Sequence, residues 1–298
     1  MSDPSVSVII PAYNSAGTLS RALDSVLRQT VNADEVIVID DGSKDDLDAV
    51  LRPYGSRVAL LRQENAGPAA ARNNGARRAR GEFLAFLDAD DFWHSRKLEL
   101  QLVAFRQRPE ITLCWTRGKH WSGTVPMDDP GELIPELTTP QYVTQFSEIF
   151  KTPYLGTPGV MMPRATFLGL GGFREDLQSA EDVDLWLRAS YGKVTARIPA
   201  QLFYIVGSPT SLTQTAKEKV FQSNLQVIED FCRSHPDFLR DEAATVKRAR
   251  AKVYENWGSG ELIRGDLAQA RTLLMRSLRD RISLRAVMLL SKTVLRGG

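Results

Sequence analysis

Three short apolar runs near the N-terminus each stop on a polar signature. Ser5 to Ile10 reads SVSVII and runs into PAYN; Glu35 to Ile39 reads EVIVI and runs into DDGS; Glu82 to Leu87 reads EFLAFL and runs into DADD. Runs of this length, bounded by turn residues, suit buried strands rather than helices. Between the first two lies Thr18 to Gln29, with Leu19, Ala22, Leu23, Val26 and Leu27 on one helical face. A short helix over Asp46 to Tyr54 and a strand over Val58 to Arg62 follow, and Gly67-Pro68 opens a helix over Ala69 to Ala79, proline being suited to a first helical position. Strands alternating with helices imply right-handed βαβ units and a mostly parallel sheet covered on both faces. Ligands of such sheets sit beyond the carboxyl ends of the strands. The alternation therefore sends PAYN, DDGS and DADD to one edge.

Further on, Leu98, Leu102 and Phe105 mark a helix, Ile111 to Trp115 a strand, and Gly159 to Met162 another. The intervening residues 116–158 are rich in Pro, Gly, Thr and acids and read as an irregular, functional stretch. Gly171-Gly172-Phe173 leads to a helix over Ala180 to Arg188 with acids in its first turn, and Leu202 to Val206 reads as a last strand. From about Ala216 the texture is helical. Gly265-Asp266 separates two amphipathic segments, and Leu267, Ala270, Leu273, Leu274 and Leu278 share a face, like a single tetratricopeptide-like hairpin. The expected division is an α/β domain over 1–215 and a basic helical extension over 216–298.

Three carboxylates in four positions, Asp88, Asp90 and Asp91, repel one another. Either they form an acidic turn capping the next helix or they meet a hard divalent cation such as Mg²⁺ or Mn²⁺. Asp40 in DDGS is either a turn residue or an acceptor for a base N–H or ribose hydroxyl. Arg72 is either a solvated helix residue or a cation for a base or phosphate. Tyr13 stacks on a base or packs. Glu181 and Asp182 are either helix-start charge or the seat of a general base. Trp186 reads as core. His94, His120 and His235 have no metal-ligand spacing, and no Ser-His-Asp, P-loop or zinc pattern is present.

A hydrophobic share of 43% with 25% charge fits a soluble globular protein, and no apolar run approaches the ~20 residues of a spanning helix. The first ten residues carry no basic stretch followed by an apolar one, so no secretory signal is expected. Two distant cysteines, Cys114 and Cys232, suit free thiols in a reducing cytoplasm. The net charge of +2 hides an asymmetry: from Lys247 onward twelve Lys/Arg face four Asp/Glu, a tail of +8, leaving −6 on residues 1–246. Such a tail is either a solvated helical face or attracted to an anionic membrane or acidic partner.

Taken in order, SVIIPAYN, VIVIDDGSKDD, NAGPAAARNNGARRARGEFLAFLDADD, GGF and AEDVDLWLR resemble family 2 glycosyltransferases of the GT-A fold, over residues 5 to about 206. The resemblance implies an inverting transfer of a sugar from a nucleotide diphosphate, dependent on Mn²⁺ or Mg²⁺. Pro11, Tyr13, Asp40 and Arg72 would surround the base, Asp88 would hold the ribose side and Asp90 the metal. Asp182 would match the catalytic base, with Glu181 beside it. The implied partners are a UDP-sugar donor and a glycan or lipid-linked acceptor in surface polysaccharide synthesis, with no nucleic acid. The implied location is the cytoplasm, with peripheral contact at the inner face of the membrane. Two departures stand out. Tyr204 is followed by Ile205-Val206-Gly207-Ser208 instead of the Arg/His clamp many members carry there, and the Gln-x-x-Arg-Trp motif of processive synthases is missing. Addition of single sugars is therefore expected. The competing expectation is a non-catalytic nucleotide-sugar-binding partner acting through the basic tail. A sugar-phosphate nucleotidyltransferase would want a Gly-rich basic loop that PAYNSAG lacks.

Overall fold

The computed structural model describes residues 4–121, 132–151, 155–206 and 217–295. The expected boundary between 215 and 216, and the pair Gly207-Ser208, lie outside them. The chain folds as two compact units. The first comprises Met1–Phe146, Tyr154–Asp176 and Arg188–Ser208; the second comprises Ser147–Pro153, Leu177–Leu187 and Pro209–Gly298.

The first unit opens with β1 (Val6–Ala12), α1 (Leu19–Leu27), β2 (Glu35–Asp40), α2 (Leu47–Leu51), β3 (Ala59–Arg62), α3 (Gly67–Arg78) and β4 (Phe83–Phe86). These four strands pair in parallel in the order β3-β2-β1-β4. That is the half that the alternation of runs dictates. Next along the chain come β5 (Phe92–Trp93), α4 (Lys97–Gln107), β6 (Cys114–Trp121), β7 (Gln141–Val143), α5 (Phe146–Lys151), β8 (Val160–Pro163), α6 (Arg164–Gly169), α7 (Glu181–Ser190) and β9 (Thr195–Val206), with α5 and α7 falling for the most part in the second unit. The sheet continues from β4 through β8, β6 and β9 to β5, with β7 also on β9. Here β8 runs antiparallel to both β4 and β6, and β5 and β7 run antiparallel to β9. Among the described residues the sheet is thus mixed. β9 runs parallel to β6.

The stretch read as irregular, 116–158, holds the end of β6, all of β7 and α5. Its polar residues face outward along β6, where Arg117 to His120 are exposed. β6 and β9 slip register around Thr116 to Gly118. The Phe203 ring lies there, and a Cβ on Gly118 or Gly159 would come within 2.2 or 2.5 Å of it, so only glycine fits.

Both faces of the sheet are covered. On one, Val8, Ile10, Val36 and Val38 bury with Leu19, Leu23 and Val26 of α1 and Leu98, Leu102 and Phe105 of α4. Each such side chain contributes about 1.5–3 kcal/mol on burial. On the other, α3 approaches so closely that a Cβ on Gly75 would lie 2.6 Å from Ile9 Cγ2. Phe86, Phe167 and Phe173 cluster with centroids 5.3–5.6 Å apart.

The helical part of the second unit is α8 (Lys217–Ser234), α9 (Pro236–Asp241), α10 (Ala243–Arg264), α11 (Leu267–Asp280) and α12 (Leu284–Leu295). α10 and α11 make a hairpin. Gly265 closes α10 in the left-handed region at φ 91, and Asp266 caps α11 by accepting from Gln269 N. Among the described residues no helix is long and apolar enough to cross a membrane.

Candidate active site

Register carries the three polar signatures to one edge. Ala12 at the end of β1 pairs with Asp40 at the end of β2, and the Leu87 N–H reaches Ile9 O on the other side of β1. The loops after β1 and β2 are then stitched together. Asn14 N donates to Ser43 Oγ at 3.0 Å, Lys44 N donates to Asn14 Oδ1 at 2.8 Å, and Ala16 N donates to Asp45 Oδ2 at 2.6 Å. Asn14 sits at φ 49, a left-handed conformation that asparagine tolerates. Tyr13, between these bonds, keeps 50% of its surface exposed.

The two aspartates of DDGS do different work. Asp40 is buried, accepts Ser43 N at 2.8 Å through Oδ1, and has Arg62 Nε 3.5 Å from Oδ2. Asp41 is consumed by structure: Oδ1 accepts Gln63 Nε2 and Ala66 N, and Oδ2 accepts Gly67 N at 2.9 Å, the last two at the start of α3.

Arg72 and Asp88 come together directly, Nη2 to Oδ1 at 2.5 Å, and the guanidinium lies 5.6 Å from the Phe173 ring centroid. Phe173 is held by the same helix. Asn73 Nδ2 donates to Phe173 O and Glu175 Oε1, each at 2.8 Å, and Asn73 Oδ1 accepts Phe173 N at 2.9 Å. The segment ARNN and the turn GGF, a hundred residues apart, thus form one support.

The acids after β4 are crowded and part-buried. Burial, then Asp88, raises the Asp90 carboxyl above its ordinary range. Burial, with Asp88 and Asp90 beside it, pushes Asp91 up to about 8. Asp91 Oδ1 also accepts Val206 N at 3.0 Å. Arg21 of α1 donates Nη2 to Asp90 O, and its buried Nε has no hydrogen-bond partner among the described residues. Nothing in the sequence reading pointed to Arg21. Its only signal was a cation bordering the apolar stripe of α1.

Glu181 and Asp182 belong to the second unit, in the first turn of α7, where Asp182 Oδ1 accepts Val183 N at 2.7 Å. Ala180, just before them, is buried at φ 62. Non-glycine residues held there store strain of order 1–3 kcal/mol, a habit of functional sites. Trp186 is wholly buried, as expected of core.

The carboxylate oxygens of Asp88 and Asp90 are hard donors whose mutual repulsion a divalent cation offsets, so the residues fit Mg²⁺ or Mn²⁺. Among the described residues no three His, Cys, Asp or Glu side chains make a ligand set. Such ions are commonly held by one or two carboxylates together with substrate phosphates.

The model of the family described as Glycosyl transferase family 2 matches residues 7–167. An uncharacterized glycosyltransferase of Rickettsia bellii is 33% identical over 203 residues, 67% of this chain and 28% of that one. The Escherichia coli UDP-Glc:alpha-D-GlcNAc-diphosphoundecaprenol beta-1,3-glucosyltransferase WfgD is 34% identical over 189 residues, 63% of this chain and 70% of that one. The chain spans only 28% and 30% of the length of the Rickettsia bellii relative and of a similar glycosyltransferase of Rickettsia conorii. In structure, the mannosyltransferase PcManGT of Pyrobaculum calidifontis, solved with GDP-Man and Mn²⁺, matches all of this chain and 81% of its own at TM-score 0.63 and 21% identity, a likeness of fold.

Proposed function

The chain belongs to glycosyl transferase family 2, and we propose that it moves a single sugar, with inversion, from a UDP-sugar to a hydroxyl of a glycan or lipid-linked acceptor in surface polysaccharide or glycolipid assembly. The observation that carries this is the acid edge after β4, where Arg72 engages Asp88 and Arg21 engages the Asp90 main chain. The donor and acceptor classes take support from the name of the E. coli relative, and a divalent cation from the PcManGT complex.

Pro11, Tyr13, Asp40 and Arg72 surround the base in this reading, with Tyr13 free to stack because half its surface is exposed. Asp88 binds the ribose side. Asp90 holds Mn²⁺ or Mg²⁺, which when bound offsets the negative charge developing on the departing diphosphate. Arg21 adds a positive charge beside the same group. Asp182, with Glu181 next to it, takes the proton of the acceptor hydroxyl as that oxygen attacks the anomeric carbon opposite the leaving group. One base on one face gives one displacement and inverted configuration. The enzyme works in the cytoplasm, and its basic C-terminal helices touch the anionic inner face of the membrane.

Release of nucleotide diphosphate with Mn²⁺ or Mg²⁺, over a panel of UDP-sugars and polyprenyl-diphosphate acceptors, tests the reading. Full turnover by both Asp90→Ala and Asp182→Asn would sink it.

A further inference from the structure

The second unit contains a cleft of about 520 Å³, remote in sequence from the motifs above. Lys151 of α5, Arg248 and Lys252 of α10, and Arg281 and Arg285 at the turn from α11 to α12 line it, against Glu148 and Glu255. α5 is fixed to this unit by Phe150, whose ring lies 5.5 Å from Phe231 and 4.9 Å from Phe238.

The charges are ordered. Glu255 is 5% exposed and takes Arg285 Nη1 at 2.9 Å, Lys252 Nζ at 3.3 Å and Ser283 Oγ at 2.6 Å. That buried carboxylate neutralises about one of the two cations and anchors both at the wall. Among the described residues, no ion pair engages Lys151, Arg248 or Arg281. The cleft therefore keeps a surplus of positive charge, with two guanidinium forks of the kind that grip phosphate in pairs of bonds. The turn that supplies Arg281, Ser283 and Arg285 to the cleft sends the alternate residues outward. Ile282 is 81% exposed and Leu284 78%, and Met288 one turn on is 55% exposed. A basic pocket with an apolar rim matches a ligand with an anionic head and a hydrocarbon body.

We propose that this cleft binds the phosphoryl headgroup of an anionic lipid, with Ile282, Leu284 and Met288 entering the acyl boundary. This deepens the membrane contact proposed above, and its lipid half rests on that reading. Diffuse attraction of a basic tail is replaced by a seat with named walls.

Inorganic pyrophosphate, titrated by calorimetry, probes the anion site. Co-sedimentation with phosphatidylcholine vesicles, with and without phosphatidic acid, probes the lipid. Arg248→Ala with Arg281→Ala removes two cleft cations; Lys247→Ala with Arg279→Ala removes the same charge from nearby positions of α10 and α11 that do not line the cleft. The cleft pair should weaken both kinds of binding about tenfold or more, and the control pair by no more than about twofold. Equal weakening by the two pairs would reduce the effect to diffuse charge and overturn the cleft. Vesicle binding untouched by the cleft pair would do the same while leaving membrane contact standing. Pyrophosphate bound in the cleft without any sedimentation on phosphatidic acid would overturn the lipid assignment. None of these readouts involves sugar transfer, so that reading stands or falls separately.

Discussion

The Asp91 carboxylate accepts the main-chain N–H of Val206 at 3.0 Å, joining the loop after β4 to the end of β9 across 115 residues. The third acid of DADD is thus a brace for the strand that carries Tyr204 against Phe92, with ring centroids 4.9 Å apart. Asp91→Ala should lower stability by about 1–3 kcal/mol, the toll of an orphaned buried donor. Asp91→Asn keeps an acceptor oxygen in a permanently neutral group, the form that burial and two neighbours favour. It should be at least as stable as the parent. Urea denaturation of both variants separates brace from charge.

Asp90 is opposed by its own burial and by Asp88 when no cation is present. Asp90→Ala should therefore melt no lower than the parent in chelator. The rise in melting temperature on adding UDP with Mn²⁺ should disappear in the variant, where a parent at a hundred times Kd gains about 2.7 kcal/mol. Thermal denaturation with and without Mn²⁺ reads both effects. An undiminished ligand shift in the variant would remove Asp90 from the metal.

Lys97 is wholly buried, 4.0 Å from the Trp93 ring centroid, with Nζ donating to Gln101 Oε1 at 2.7 Å. Burial brings its pKa from 10.5 down to about 7. Between those values the unfolded chain holds the extra proton, so this group makes stability rise with pH from about 7 towards 10.5. Below 7 both states are charged and the burial penalty is felt in full. Lys97→Met should flatten that rise. Urea midpoints across the window compare the slopes, and identical slopes would contradict the burial argument.

Two glycines of α10 make a matched pair. A Cβ on Gly258 would lie 2.8 Å from Leu274 Cγ of α11, whereas Gly260 meets nothing within 4 Å. Gly258→Ala should cost about 1–3 kcal/mol through overpacking. Gly260→Ala should gain about 0.5–1 kcal/mol through helix propensity. Thermal unfolding of the two single variants tests the hairpin packing.

The parallel half was legible because β1, β2 and β4 are largely apolar runs, β1 ending within PAYN, β2 on the first residue of DDGS and β4 shortly before DADD. The other half was not. β5 is only Phe92–Trp93 and β7 only Gln141–Val143, too short for any periodicity to register. β6 extends to Trp121 through Arg117, Lys119 and His120, which its neighbours leave exposed, so its sequence reads as loop. Of the site, the Arg72 and Asp88 positions came from their motifs, and the structure supplies the bond between them. Arg21 escaped because a cation beside an apolar stripe looks the same whether it meets water or a main-chain oxygen. The division of labour between Asp40 and Asp41 escaped because adjacent carboxylates differ only in what the fold aims at them.

Asp41 has one more consequence. In nucleotide-binding folds that cradle phosphate on a glycine-rich turn, the open amides of a helix start receive the anion. Here Ala66 N and Gly67 N, at the head of α3, already face the Asp41 carboxylate. The chain has placed its own anion where another architecture would seat the substrate's. An anion arriving at the head of α3 finds that berth taken.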